Sequence, residues 1–164
     1  MIVGILSDTH GKADMATAAV QLLIVRGCEY LIHCGDVGGE RVLDALAGHP
    51  AMFVFGNNDW DRDELARYAK TLGIACGDNH GKMTLGGKLA IVTHGDDGRF
   101  VNQVLMDQRV DYLFLGHSHV PMDRRQGKVR VINPGALYRA AEKTVAVLDT
   151  ETDRLEFLVV RQPS

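Results

Sequence analysis

Apolar residues fall along this chain in two rhythms. Short unbroken runs at Ile2–Leu6, Tyr30–His33 and Ala51–Phe55 read as buried strands, being brief, continuous and rich in aliphatic residues. Between them the spacing lengthens to that of a helix. Asp14–Arg26 predicts a helix with Met15, Ala18, Ala19, Leu22 and Leu23 on one face, stopped by Gly27. Glu40–Leu46 predicts a short helix, and Asp61–Leu72 a longer one opened by an acidic first turn. Hairpins follow: Lys82–Leu85 and Lys88–Thr93 flank Gly86-Gly87, a pair suited to the positive φ of a tight turn. Arg99–Gln108 reads as a helix. Asp111–Leu115, Val129–Ile132, Thr144–Asp149 and Leu155–Val160 read as strands, the last two joined by a polar Glu151–Asp153 turn. This order predicts an α/β fold, with two mixed β-sheets packed as a sandwich flanked by helices. With no repeat, linker or low-complexity tract, residues 1–164 read as one domain.

Composition narrows the class. Hydrophobic residues make up 46% and charged residues 24%, the balance of a globular protein. A net charge of −3 gives no nucleic-acid signal, since duplex binding leans on clustered Lys and Arg. Arg124-Arg125 reads as a solvated hairpin face. The opening run lacks the basic start and cleavage site of a secretory signal, and no segment approaches the roughly 20 apolar residues of a membrane span. Cys28, Cys34 and Cys76 show no CxxC spacing, so neither a disulfide framework nor a zinc ribbon is indicated and the expected location is cytoplasmic.

Aspartate and histidine gather just after the strands. Ser7-Asp8-Thr9-His10, Gly35-Asp36, Gly56-Asn57-Asn58-Asp59, His94-Gly95-Asp96 and Gly116-His117-Ser118-His119 each follow one predicted strand. Ligand sites in α/β sheets lie outside the carboxyl ends of strands. Each fragment alone reads first as a turn or a cap; five of them at strand ends, in this order, point to metal binding. Imidazole, carboxylate and amide ligands without thiolate suit manganese, iron or zinc rather than Cu⁺ or iron–sulfur clusters.

The ordered set Asp8-x-His10, Gly35-Asp36, Gly56-Asn57-x-Asp59, His94-Gly95 and Gly116-His117-x-His119 resembles the calcineurin-like metallophosphoesterase superfamily. The short length and Asn133-Pro134-Gly135 resemble its small bacterial and archaeal phosphodiesterase branch. That resemblance implies a helix-flanked sandwich with a dimetal centre at one rim. One metal would take Asp8, His10, Asp36 and His119; the other would take Asp36, Asn57, His94 and His117, with Asp36 bridging. Two divalent ions are implied, manganese first, with iron, zinc, nickel or magnesium as the alternatives. Such a pair generates a bridging hydroxide for in-line attack on phosphorus, with no phosphoenzyme. The substrate would be a small-molecule phosphoester, and homodimers or homotetramers are common in the family.

Two positions depart from the family pattern. Most members carry His where this chain has Asn58, and an amide cannot supply a proton to the leaving group. Asn58 and Asp36 are therefore the catalytic candidates, and the expected preference is for acidic leaving groups such as aryl or nucleotide-type esters. Relatives often show His-Gly-His where this chain has His94-Gly95-Asp96, which places Asp96 with Asn58 and Ser118 as substrate-facing candidates, alongside Arg99. His33, His49 and His80 have no motif partner and read as structural or solvent-facing. Two other functions compete: a phosphomonoesterase acting on protein or nucleotide, and a non-catalytic scaffold like the retromer subunit of the same fold. Intact ligands at all seven positions disfavour the scaffold, and the lack of an Arg pair next to the ligands favours diesters.

Overall fold

The computed structural model describes residues 1–162. Along the chain run β1 (Ile2–Leu6), α1 (Ala13–Val25), β2 (Tyr30–His33), α2 (Glu40–Leu46), β3 (Ala51–Phe53), α3 (Arg62–Thr71) and β4 (Ala75–Cys76). Then come β5 (His80–Leu85), β6 (Lys88–Thr93), α4 (Gly98–Asp107), β7 (Tyr112–Phe114), β8 (Met122–Gln126), β9 (Val129–Asn133), β10 (Thr144–Asp149) and β11 (Arg154–Val159). One sheet has the order β11-β10-β1-β2-β3-β4 and the other β5-β6-β7-β9-β8. Within them β1-β2-β3-β4 and β6-β7-β9 pair in parallel, while the hairpins pair antiparallel.

Alternation along the strands sets the layers. Val3, Ile5, Ile32, Ala146 and Leu148 of the first sheet pack against Ala90, Val92, Phe114 and Ile132 of the second. Leu6, Leu31, Phe53 and Val145 share a core with Leu23, Leu43 and Leu65 of α1, α2 and α3. On the far side Leu113, Val129 and Val131 meet Val104 and Leu105 of α4. Each of the larger side chains, Val, Leu, Ile or Phe, contributes about 1.5–3 kcal/mol when withdrawn from water. Four layers result, as the α/β sandwich expectation required, and the core fixes where the parallel strands end.

Several boundaries differ from expectation for physical reasons. β3 stops at Phe53 because the Phe55 N–H turns away to the Asp78 carbonyl at 2.7 Å. α1 buries Ala16 and Val20 while Leu22 and Ala18 are only partly covered, so its apolar stripe is rotated from the expected one. β4 is too short to leave a pattern, and β8 is a polar edge strand whose Arg124 and Arg125 face solvent. The Gly86-Gly87 turn is as expected, with φ of +53° and +81°. Among the described residues, no helix is long and apolar enough to cross a membrane.

Candidate metal centre

Parallel strands in the two sheets bring five loops to one rim. Asp8 and His10 follow β1, Asp36 follows β2, Asn57 and Asn58 follow β3, His94 follows β6, and His117 and His119 follow β7. Backbone bonds stitch these loops together. The N–H of Asp8 donates to Gly35 O at 3.1 Å, that of His10 to Asp36 O at 3.0 Å, and that of Gly116 to His94 O at 2.9 Å. From the second sheet, the His117 N–H reaches across to Asp8 Oδ2 at 3.1 Å. Asp59 clamps two loops from within by accepting from the N–H groups of Val37, Gly38 and Gly56.

Backbone strain gathers here: five of the nine non-glycine residues with positive φ among the described residues lie in these loops. Asp8, His10, Asp36, His117 and His119 all hold φ between +45° and +67°. Each such conformation costs on the order of 1–3 kcal/mol outside glycine and persists only where the surroundings enforce it. Close approach adds to this. A Cβ on Gly56 would lie 2.1 Å from Asp36 Oδ1, and one on Gly116 would lie 2.1 Å from Ser7 Oγ. Glycine before the ligand loops lets the carboxylates sit against backbone.

The side chains converge. Asp36 Oδ2 lies 3.4 Å from His10 Nε2 and 3.3 Å from His94 Nε2. Asp8 Oδ1 lies 3.1 Å from His119 Nε2, 3.8 Å from His10 Nε2 and 3.9 Å from His94 Nε2. Asp8, His10 and His119 form one group able to hold a cation, and Asp8, Asp36 and His94 form another. His94 donates from Nδ1 to the Cys34 carbonyl at 2.8 Å, which leaves its Nε2 lone pair facing the carboxylates. Despite these short separations, Asp8 Oδ1, His10 Nε2 and His94 Nε2 are buried with no hydrogen-bond partner among the described residues. Buried polar atoms left unpaired are costly, and three aimed at one another are what a divalent cation satisfies. The residues fit the metal that the donor set implied.

Electrostatics agree with a carboxylate kept charged. Burial alone would raise the Asp36 pKa, but contact with His94 and two hydrogen bonds from Asn58 hold it well below the usual carboxylate range. Those bonds come from the Asn58 backbone N–H to Oδ1 and its Nδ2 to Oδ2, both 2.9 Å. Asn58 is thus turned onto Asp36 rather than outward, although it is exposed.

The remaining expected residues are placed less centrally. His117 is exposed, with its ring centroid 5.1 Å from that of His94, and Asn57 is exposed at the rim. Ser118 is exposed and held by Asn133 Nδ2 at 3.1 Å. Asp96 and Arg99 are exposed, and capping of α4 falls to Asp97. His80 stacks on Phe100 at 3.5 Å, and His49 is half-buried beside α2.

Five supporting residues were legible in the sequence only in part, as His33 was in reading as structural, or not at all. His33 is fully buried and joins two ligand loops, contacting Thr9 Oγ1 at 2.9 Å and accepting from the Gly35 N–H at 3.2 Å. Buried Asn133 donates to the Gly116 carbonyl at 2.7 Å, so Asn133-Pro134-Gly135 anchors the His117 loop rather than merely turning. Tyr138 stands 5.2 Å from the His10 ring, and Lys12 and Arg139 each lie 5.2 Å from Tyr138. Cations therefore do flank the ligands, Lys12 two residues after His10 and Arg139 brought in by the fold from a distant part of the chain.

A buried cluster of carboxylates and imidazoles able to hold a metal ion, at the strand ends of a layered sandwich, suits the site of a metal-dependent hydrolase. The chain belongs to the calcineurin-like phosphoesterase superfamily, whose domain matches residues 1–153, and it is a metal-dependent phosphoester hydrolase. A phosphodiesterase of Methanocaldococcus jannaschii is 27% identical over 98% of this chain and 99% of its own length. The solved structure of an archaeal phosphodiesterase superposes with a TM-score of 0.90 at 26% identity, covering 97% of this chain and 99% of that one. Vps29 of Entamoeba histolytica, complexed with zinc, shares the fold with a TM-score of 0.65 at 17% identity over 98% of this chain and 100% of that one.

Proposed function

We propose that this chain is a dimetal phosphodiesterase in which Asp8, His10, Asp36 and His119 hold one cation and Asp36, Asn57, His94 and His117 hold the other. One observation carries the pair: Asp36 Oδ2 sits between two otherwise unpaired imidazole nitrogens, 3.4 and 3.3 Å away. Asp8 also approaches His94, but Asp36 is nearer to it and remains the better bridge. Mn²⁺ is the first choice for such a donor set. Bound there, two divalent cations would supply Lewis acidity toward phosphoryl oxygens and a water acidified toward neutrality.

The chain's own groups do the rest. Asp36 stays ionised, and Asn58 keeps its carboxylate oriented while offering no proton of its own. The leaving oxygen must therefore carry its charge away largely unaided, which favours aryl and nucleotide-type diesters. The free thiols Cys28, Cys34 and Cys76 suit a reducing compartment such as the cytoplasm.

Lys12 and Arg139 favour a second reading, a monoesterase, because the dianion of a monoester needs more neutralisation. A paired assay separates them. With Mn²⁺ added, bis(p-nitrophenyl) phosphate is expected to turn over faster than p-nitrophenyl phosphate. Chelation should abolish both activities, and His117→Ala should lower them more than about tenfold. Faster monoester turnover would select the second reading; activity indifferent to chelation would remove both.

A further inference from the structure

The sole tryptophan of the chain stands in an unusual place. Trp60 is 83% exposed, on the loop that carries Asn57 and Asn58. One exposed aromatic alone would be ordinary, but tryptophan is enriched at recognition surfaces and this one lines a groove beside the site. The loop is pinned from behind: Arg62 donates to the carbonyls of Asp59 and Gly56, both at 3.0 Å. Trp60 lines a groove of about 410 Å³ that also takes in Gly11, next to His10, and Asn58, which touches Asp36. The groove thus borders the metal centre at Gly11 and Asn58, although none of the seven ligands lines it.

Its other walls suit a flat, uncharged guest. Gly38 and Gly39 contribute bare backbone, and a Cβ built on Gly39 would meet nothing within 4 Å. Glu40, Asp59, Asp61 and Glu64 line it against a single cation, Arg41, so an extra anion is not favoured, whereas N–H donors have carboxylates to meet. From Trp60 and this groove we infer a subsite for the nucleobase of a nucleotide ester, stacked on the indole with its exocyclic amine toward the carboxylates and its phosphate on the metals. This inference rests on the hydrolase reading above and narrows it to nucleotide-type substrates.

Because Trp60 is the one tryptophan, its emission reports the subsite without any turnover. The Mn²⁺-loaded chain is titrated with adenosine 5′-monophosphate and with ribose 5-phosphate, following emission and, by calorimetry, affinity. The nucleotide should quench saturably and bind on the order of tenfold more tightly than the sugar phosphate, as a stacked base provides. Trp60→Ala should erase that difference, and Trp60→Phe should retain part of it. Equal affinities for the two ligands, or emission that follows protein concentration rather than nucleotide, would overturn the subsite, the latter by showing self-association. Hydrolysis of bis(p-nitrophenyl) phosphate by the unaltered chain is measured beside it. If that activity is present and the base makes no difference, only the subsite is wrong. If base-dependent quenching occurs without any metal-dependent hydrolysis, the subsite stands and the hydrolase reading falls.

Discussion

His33 ties the loops of Asp8–His10 and Asp36 together, and it can do so in one protonation state only. The Gly35 N–H occupies Nδ1, so the ring proton lies on Nε2 and points to Thr9 Oγ1, whose own hydroxyl donates to the Val37 carbonyl at 2.9 Å. A second proton on Nδ1 would break the Gly35 bond and place a charge in a fully buried position. Burial, assisted by the neighbouring His94, lowers the His33 pKa to about 3. In the unfolded chain the group titrates near 6.5. A pKa depressed on folding means that this stabilisation is complete above about pH 6.5 and is lost as the pH falls toward about 3. Between about pH 7.5 and about pH 5 the unfolded chain gains this proton and the folded chain does not, which removes about 2 kcal/mol of stability. In His33→Asn the amide oxygen can still accept from Gly35, and loss of the Thr9 link costs about 1 kcal/mol at neutral pH. Urea unfolding of both proteins across that range, taken as a difference, cancels the titrations they share. The gap should shift by about 2 kcal/mol on acidification, from about 1 kcal/mol in favour of the unaltered protein to about 1 kcal/mol in favour of the variant. Two stability curves running parallel would refute the reasoning.

Other perturbations follow from the same geometry. Gly56→Ala forces a methyl group onto Asp36 Oδ1 and the Asp36 backbone nitrogen, so metal affinity measured by competition with a chelator should fall about 10–100-fold while the far-ultraviolet spectrum is kept. Asn58→His restores a proton donor beside the leaving group and should raise turnover of alkyl diesters relative to aryl ones by up to about 10²–10⁴-fold; an unchanged ratio would show that no acid is missing. On the opposite sheet, Arg130 binds Asp123 through Nε and Nη2 and Asp153 through Nη1, each at 2.8 Å, with its own side chain only 10% exposed. Both carboxyls are held below their usual pKa: Asp123 first by its Arg130 bonds, and Asp153 by Tyr112 and Arg130 in spite of its burial. Arg130→Met should cost about 1–2 kcal/mol at neutral pH, the partners' exposure having screened the pairing, and the cost should vanish as the pH falls below about 4 and the carboxyls protonate.

The sequence carried the layered sandwich because strands buried on both faces are apolar along most of their length, as Ile2–Leu6 is and Leu31-Ile32 are within β2. It carried the ligand loops because Asp, His and Gly at the end of such runs have few structural uses. β8 left only the solvated hairpin face of Arg124-Arg125, since an edge strand open to solvent needs no hydrophobic pattern. The groups that hold the site in place were the least legible. His33 looks in sequence like the last residue of a strand, and Asn133 like part of a turn; their roles arise from contacts 24 and 17 residues away. Lys12, Tyr138 and Arg139 meet only because β10 and β1 are neighbours, which no local pattern encodes. Trp60 was visible as a letter, but only its exposure gives it meaning.

Metal content of the purified chain, measured by elemental analysis after equilibrium dialysis against Mn²⁺, bears most directly on the rim of five loops. Two tightly held ions per chain are expected, falling to one or none in Asp36→Asn, whose amide leaves only one oxygen to serve both cations. Absence of bound metal, or a single ion that Asp36→Asn leaves in place, would contradict the account.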